Sequence, residues 1–444
     1  MARYFPTKEK NAGLAFFFLF LYTISVLIRP HEFSYETSNY IFIKVFAILA
    51  FAFTLIALRP IKFLPQHYML LGFTPLIMIS AFLNGWGGGG IIEAQKFFVA
   101  SIIPFFLYSS LITSISRQKI LMYVSIIAAL IMVYNGYMQH ASFDGQMGYG
   151  LGGSVSVGRE EMRITYLGFF GDPNDLGMFL VMNLAFLAYF FSEKGKLNKI
   201  LMPVIFITFC YGILITGSRG TILGLLGVIA IYYFFKKAGA KLILLGIVLA
   251  PIAATLISKF GGMSGAEDAS ANGRLEAWYA GIQMLIGNPV FGVGKGNFMD
   301  HHGLVAHNSY IHVAGEMGVP GYSLWGGMIV LSMFAAYRIK KEFNDWDSTE
   351  INQETKEEYT AEVKMNQAIF YSMIGFMITA FFLSRQFTLL LFVFLGMLTA
   401  SHIRLIKIRP ELKEILFNGK FVFKCMGYSW IIIIAVYMAL KVGL

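Results

Sequence analysis

The sequence predicts an all-helical, polytopic integral membrane protein, and three observations carry that prediction. Hydrophobic residues fill 57% of the 444 positions and charged residues only 14%, against about 45–50% and about 25% in soluble domains. The apolar residues fall in runs of 16–20, each long enough to cross a hydrocarbon core of about 30 Å at about 1.5 Å per residue. Lys and Arg collect in alternate connections between those runs. A soluble enzyme with two or three cores is excluded.

The net charge of +10 does not point to nucleic acid. The basic residues sit in short clusters between apolar spans, a pattern that orients a membrane protein instead of tracking phosphates along a groove. Cys210 and Cys425 both lie in apolar spans, so neither a disulfide framework nor a thiolate metal site is expected.

The first span, 12–28, follows a basic start (Arg3, Lys8, Lys10) and is not followed by a small-residue cleavage site, so it reads as uncleaved. Spans at 40–58, 67–83, 97–114 and 120–138 come next. A glycine-rich loop, 139–174, leads to spans at 175–191, 200–216, 220–235 and 241–257. A second long loop, 258–312, precedes span 313–337. A charged stretch, 338–366, reads as a solvated linker, and spans at 387–403 and 425–440 complete the set after 367–384. The last is short, with Lys424 at its start; if it lies along the surface, the count is twelve and not thirteen. The chain reads as a single transmembrane domain over 1–444.

With a cytoplasmic N-terminus, 24 of the 35 Lys and Arg fall in inside segments and 10 in outside ones, with Lys44 inside the second span. This agrees with the positive-inside rule. It makes 139–174 and 258–312 outside loops and 338–366 a cytoplasmic one. Loops longer than about 12–15 residues usually carry function or are disordered.

Residues unusual for a membrane protein concentrate in those outside segments. Asp172-Pro173-Asn174-Asp175 stands before the sixth span: Asp at the N-cap and Pro at N1 is a helix-start signal, while Asp172, Asn174 and Asp175 would also suit sugar hydroxyls or an acceptor. A metal would need more carboxylates. Gly217-Ser218-Arg219-Gly220 joins two spans in a tight turn; Arg219 either snorkels to headgroups or, beside a helix N-terminus, binds diphosphate oxygens bidentately. From Arg274 onward, Leu275, Trp278, Ile282 and Leu285 recur at spacings of 3, 4 and 3, an amphipathic helix ending at Gly287-Asn288-Pro289. It is expected on the membrane surface or on the bundle.

The last cluster is His307-Asn308-Ser309-Tyr310, followed by His312 and Gly315-Glu316-Met317-Gly318-Val319-Pro320-Gly321. A polar cluster here runs into a span broken by Gly and Pro, which is tolerated only where protein or a wet cavity surrounds it. His307 is suited to general-base work near neutral pH, although a histidine at a membrane edge is also an ordinary interfacial residue.

In order and sidedness, GSRG at 217–220, GRLEAW at 273–278, NPVFGVGKGNF at 288–298 and HNSYIHVAGEMGVPG at 307–321 resemble the O-antigen ligase and O-antigen polymerase superfamily. The resemblance covers about 217–337; the first 170 residues match it only in hydropathy. It implies a GT-C type fold of about twelve spans in the bacterial inner membrane. It also implies a metal-independent, inverting glycosyltransferase that takes a glycan from undecaprenyl diphosphate on the periplasmic face. By resemblance, Arg219 and Arg274 would bind the diphosphate and His307 would be catalytic. Asp172, Asn174, Asp175, Asn308, Tyr310, Glu316, Arg159 and Arg163 are further substrate-binding candidates. No cofactor and no metal are expected.

The donor already carries a good leaving group, so no nucleotide is needed, and fixed arginines in a water-poor site can stabilise the departing diphosphate. The acceptor is expected to be lipid A–core, as in a ligase, or a second lipid-linked repeat, as in a polymerase. Membrane lipids are the remaining partner. A lipid-linked sugar flippase or transporter would also use broken spans, but it needs a path from both sides, and the unusual residues here share one face.

Overall fold

The computed structural model describes residues 12–58, 61–142, 147–149, 163–238, 265–344 and 353–443. Among these no residue lies in a β-strand. In chain order the helices are α1 Gly13–Leu27, α2 Phe42–Ala57, α3 Pro65–Leu83 and α4 Gly87–Phe97, which passes through a π turn at Phe98–Ile102 into α5 Ile103–Leu111. Then come α6 Ile115–Ala141, α7 Pro173–Ser192, α8 Lys196–Ile215, α9 Arg219–Ala238 and α10 Gly265–Gly287. The series closes with α11 Phe298–His302, α12 Ser309–Asn344, α13 Gln353–Ala380, α14 Leu389–Ile408, α15 Leu412–Phe417 and α16 Gly419–Gly443.

Among the described residues, eight helical segments, counting α4 and α5 as one, are long and apolar enough to cross a membrane; α1, α2 and Arg219–Tyr232 of α9 are shorter apolar helices. This is an all-α polytopic membrane protein. Of the thirteen expected spans, twelve fall on described helices, and 241–257 lies outside the described residues. The weakest, at 425–440, is part of α16, which lies along α12. The Tyr322 hydroxyl donates to the Ser429 carbonyl at 2.8 Å, and Trp430 Nε1 donates to Ser323 Oγ at 3.0 Å.

Where lipid replaces water, apolarity alone does not tell inside from outside, and small and polar residues mark the helix contacts instead. Gly224 of α9 faces Thr379 of α13, and Gly212 of α8 faces Val133 of α6. The Ser372 hydroxyl donates to the Met182 carbonyl at 2.7 Å, tying α13 to α7. Most residues of α7 and α14 are buried. Large apolar side chains such as Ile48, Ile56, Phe82, Ile207 and Phe423 are exposed on the outer faces.

The stretch 338–366 differs from the expected linker loop. α12 runs to Asn344 and α13 starts at Gln353, with 345–352 outside the described residues. The charge density of this stretch conceals an inward face: Ile339, Tyr359 and Val363 are buried, and buried Glu362 pairs with Arg404 of α14 at 2.6 Å.

The amphipathic helix is α10, and it rests on the bundle. Trp278 and Ile282 are buried, with the indole edge-on to Phe381 at 5.2 Å, while Glu276 and Tyr279 are exposed. It ends at Gly287, where the sequence places its stop.

The expected break in the next span is present as a kink in α12 at Gly318 (φ 65°, ψ −166°). Its cause is the segment 289–294 laid against it. Val319 N donates to the Pro289 carbonyl at 2.7 Å, Val293 N to Gly315 at 3.0 Å and Gly294 N to Glu316 at 2.9 Å. Backbone groups freed by the kink are thereby paired within the protein. A Cβ at Gly318 would stand 2.7 Å from the Val290 carbonyl, so glycine is required.

Candidate active site

Several connections meet at one end of the bundle: the approach to α7, the α8–α9 turn, the entry to α12 and the α13–α14 turn. They bring the sequence candidates together through a residue that sequence reasoning missed, Arg385.

Asp172 caps α7, its Oδ1 accepting from Asn174 N at 2.8 Å, and Pro173 opens the helix. The helix-start reading therefore holds, but it is half of the role. Arg385 Nη2 donates to Asp172 Oδ2 and Arg385 Nε to Asp175 Oδ1. Asp175 is buried, so this pairing supplies the charge it faces in a poorly hydrated place. The main-chain N–H of Arg385 donates to Ser309 Oγ at 2.8 Å, and that hydroxyl donates to the Leu383 carbonyl at 2.6 Å. One arginine thus ties the start of α7 to the start of α12.

Arg163 approaches from the other flank. Its Nε donates to the Thr216 carbonyl at 2.7 Å, where a cation suits the C-terminal end of α8. Its Nη2 donates to Asn174 Oδ1 at 3.1 Å. Both Arg163 and Asn174 therefore support the architecture of this end. Arg219 is exposed at the first position of α9, after Gly217 in the left-handed conformation (φ 58°). Ser218 caps that helix, its Oγ accepting from Thr221 N at 3.4 Å. Next to it Gly220 lies against Phe382, three residues from Arg385. Arg159 lies outside the described residues.

His307 is half-buried and left-handed (φ 48°), rare for a residue with a side chain. The next residue explains the turn: fully buried Asn308 caps α12, its Oδ1 accepting from Tyr310 N at 3.0 Å and Ile311 N at 3.1 Å. Asn308 Nδ2 has no hydrogen-bond partner among the described residues. Tyr310 points into the bundle and donates to the Met377 carbonyl at 2.9 Å.

His307 titrates below its ordinary range. Burial is the larger cause, followed by the positive charges of Arg274 and Arg385, with Asp172 and His312 contributing in opposite senses. A neutral imidazole is the form a general base requires.

Glu316 is buried and structural in its contacts. Its Oε1 accepts from Gly296 N at 2.9 Å and Phe298 N at 3.3 Å, fixing the glycine-rich segment before α11. It also meets His312 Nε2 at 3.0 Å, and His312 Nδ1 meets Ser384 Oγ at 3.1 Å. Ser384 precedes Arg385, so this chain returns to the same turn.

Chemically, Arg274 and Arg385 act on a neutral-biased histidine, Asp172 and Asp175 are turned to Arg385, and Arg163 is bound to Thr216 and Asn174. An excess of guanidinium suits a multiply charged oxyanion. The one signal that could have found Arg385 is its placement: like Ser218-Arg219, Ser384-Arg385 puts a cation in a tight turn on the side that the charge bias otherwise keeps poor in Lys and Arg.

Fold and site together define a polytopic helical membrane protein with a cationic, histidine-bearing end. A family model described as O-Antigen ligase matches residues 204–326, from α8 into α12, so over this stretch the chain is similar to that family. The matched stretch includes Arg219, Arg274 and His307 and ends before Arg385. No curated protein matches the chain.

Proposed function

We propose that this chain transfers a glycan from undecaprenyl diphosphate to an acceptor hydroxyl on the periplasmic face, in the manner of an O-antigen ligase with lipid A–core as acceptor. The observation that supports this reading best is His307 in the field of Arg274 and Arg385 at the end where the superfamily motifs converge. In this mechanism the arginines Arg219 and Arg274 bind the diphosphate and stabilise the charge that builds on it as the glycosidic bond breaks. His307 accepts the proton of the attacking hydroxyl, a contribution of typically about 10²–10⁴-fold. Attack opposite the leaving diphosphate inverts the anomeric centre. Asp172 and Asp175 act through Arg385, so no metal takes part.

The test is to incubate the purified protein with undecaprenyl-diphosphate glycan and either lipid A–core or a second lipid-linked repeat, and to identify the product by mass spectrometry. Glycosylated lipid A–core supports the ligase reading. A lengthened lipid-linked glycan would make the chain a polymerase, and no transfer to either acceptor would remove the proposal.

A further inference from the structure

Ser384, His312 and Glu316 form a continuous hydrogen-bonded series that the proposed mechanism does not use. Ser384 Oγ lies 3.1 Å from His312 Nδ1, and His312 Nε2 lies 3.0 Å from Glu316 Oε1. Glu316 cannot turn away, because the same oxygen accepts from Gly296 N and Phe298 N. His312 is also held by the Phe298 ring, 4.7 Å away between centroids. The imidazole is therefore fixed on both sides, and it fixes the serine in turn.

The direction of the bonds follows from the chemistry of the groups. A carboxylate only accepts, so Nε2 carries a proton. With the imidazole neutral, Nδ1 accepts and the Ser384 hydroxyl donates to it; with the imidazole protonated beside Glu316, Nδ1 donates and the hydroxyl oxygen accepts. In either state Ser384 Oγ, half-buried beside Arg385, keeps a lone pair with which to accept. That lone pair takes a hydrogen bond from a sugar hydroxyl, while the neighbouring guanidiniums suit the phosphates.

We propose that Ser384 is a glycan-hydroxyl ligand of this site, with His312 and Glu316 as the positioning residues that orient its lone pairs. This rests on the glycosyltransferase reading above and adds a sugar contact beside the diphosphate contacts. A group fixed in this way rejects a sugar lacking the hydroxyl, because its oxygen would be left without a donor.

The experiment measures transfer and glycan binding for wild type, Ser384→Ala, His312→Gln and the double variant, using the intact glycan and a series of its monodeoxy forms. Ser384→Ala should raise KM about fivefold while kcat holds, the scale of one neutral hydrogen bond. Wild type should lose a similar factor with one deoxy form, to which Ser384→Ala is indifferent. His312→Gln should act in the same direction, and the double variant should be no worse than Ser384→Ala alone. Wild-type KM in Ser384→Ala, or additive losses in the double variant, would overturn the proposal, as would lowered thermal stability with unchanged KM. Binding of the released glycan, followed by saturation-transfer NMR, tests the contact without turnover. Absent transfer in wild type therefore counts against the enzymatic reading, and equal glycan binding by wild type and Ser384→Ala counts against the serine.

Discussion

The guanidinium of Arg385 is bound to the carboxylate of Asp175, a residue 210 positions away in sequence, at the point where α7 begins. The same guanidinium takes Asp172, and its backbone holds Ser309, two residues beyond His307. The geometry around the candidate base therefore depends on an ion pair between segments that no local pattern connects.

Arg385→Ala leaves Asp175 without its charge partner. Thermal unfolding in detergent should show a loss of about 2–3 kcal/mol, below the range for fully buried pairs because Arg385 and Asp172 keep some exposure. Adding Asp172→Asn and Asp175→Asn should recover most of it. Unchanged melting of Arg385→Ala would show that the pairing contributes nothing to stability.

Arg219→Ala and Arg274→Ala should each cost about 3 kcal/mol in transfer, the scale of one oxyanion-type donor. Lysine at either position keeps the charge and loses the planar fork, so part of the activity should remain. His307→Ala should spare donor affinity and lower turnover. Donor titration alongside initial rates separates these effects; loss of donor binding in folded His307→Ala would make His307 a diphosphate ligand instead.

The pH profile carries a sign. His307 must be neutral to act, and burial followed by Arg274 and Arg385 lowers its titration below the usual 6.5. Activity should therefore persist into mildly acidic buffer and fall only below that value. Removing Arg274 takes away one cause, so the acid limb of kcat/KM in Arg274→Ala should move to higher pH. A limb that stays in place, or moves down, would exclude His307 as the group being read.

Transfer should survive EDTA. Asp172 and Asp175 direct carboxylate oxygens to Arg385, which occupies the position a cation would take. Activity lost to chelation and restored by Mg²⁺ would mean that these carboxylates exchange the guanidinium for a metal during the reaction.

Gly318→Ala should disable the protein without touching any charged group. Its φ and ψ belong to a region essentially confined to glycine, worth about 1–3 kcal/mol of strain, and the added Cβ meets the Val290 carbonyl. Melting and transfer rate should fall together; full activity would show that the kink is not needed.

Spans, kink and amphipathic helix were legible because each is a local pattern: a run of apolar residues, a Gly-Pro cluster, a spacing of three and four. Arg385 was not, since a lone arginine in a tight turn reads as a headgroup contact until Asp172 and Asp175 are seen beside it. The buried pair Glu362–Arg404 was hidden for the same reason, and the charges around it made a helix resemble a linker. Asn308 and Tyr310 stand out in the sequence as polar residues at a membrane edge, yet their contacts cap and brace α12. Polar type at a membrane edge does not say whether a side chain faces substrate or backbone.

At Gly281 and Gly315, α10 and α12 cross with their backbones in contact: a Cβ on Gly315 would come within 3.0 Å of the Gly281 carbonyl. No side-chain layer lies between the two rods to yield. Arg274 stands seven residues back from that pivot along one rod, about 10 Å of helix. His307 stands eight residues back along the chain from Gly315, two residues before α12 begins. The span between cation and base is thus set like the opening of a pair of compasses, by two fixed arms and one joint. A side chain at the joint would pry it wider and change that span from about two helical turns away.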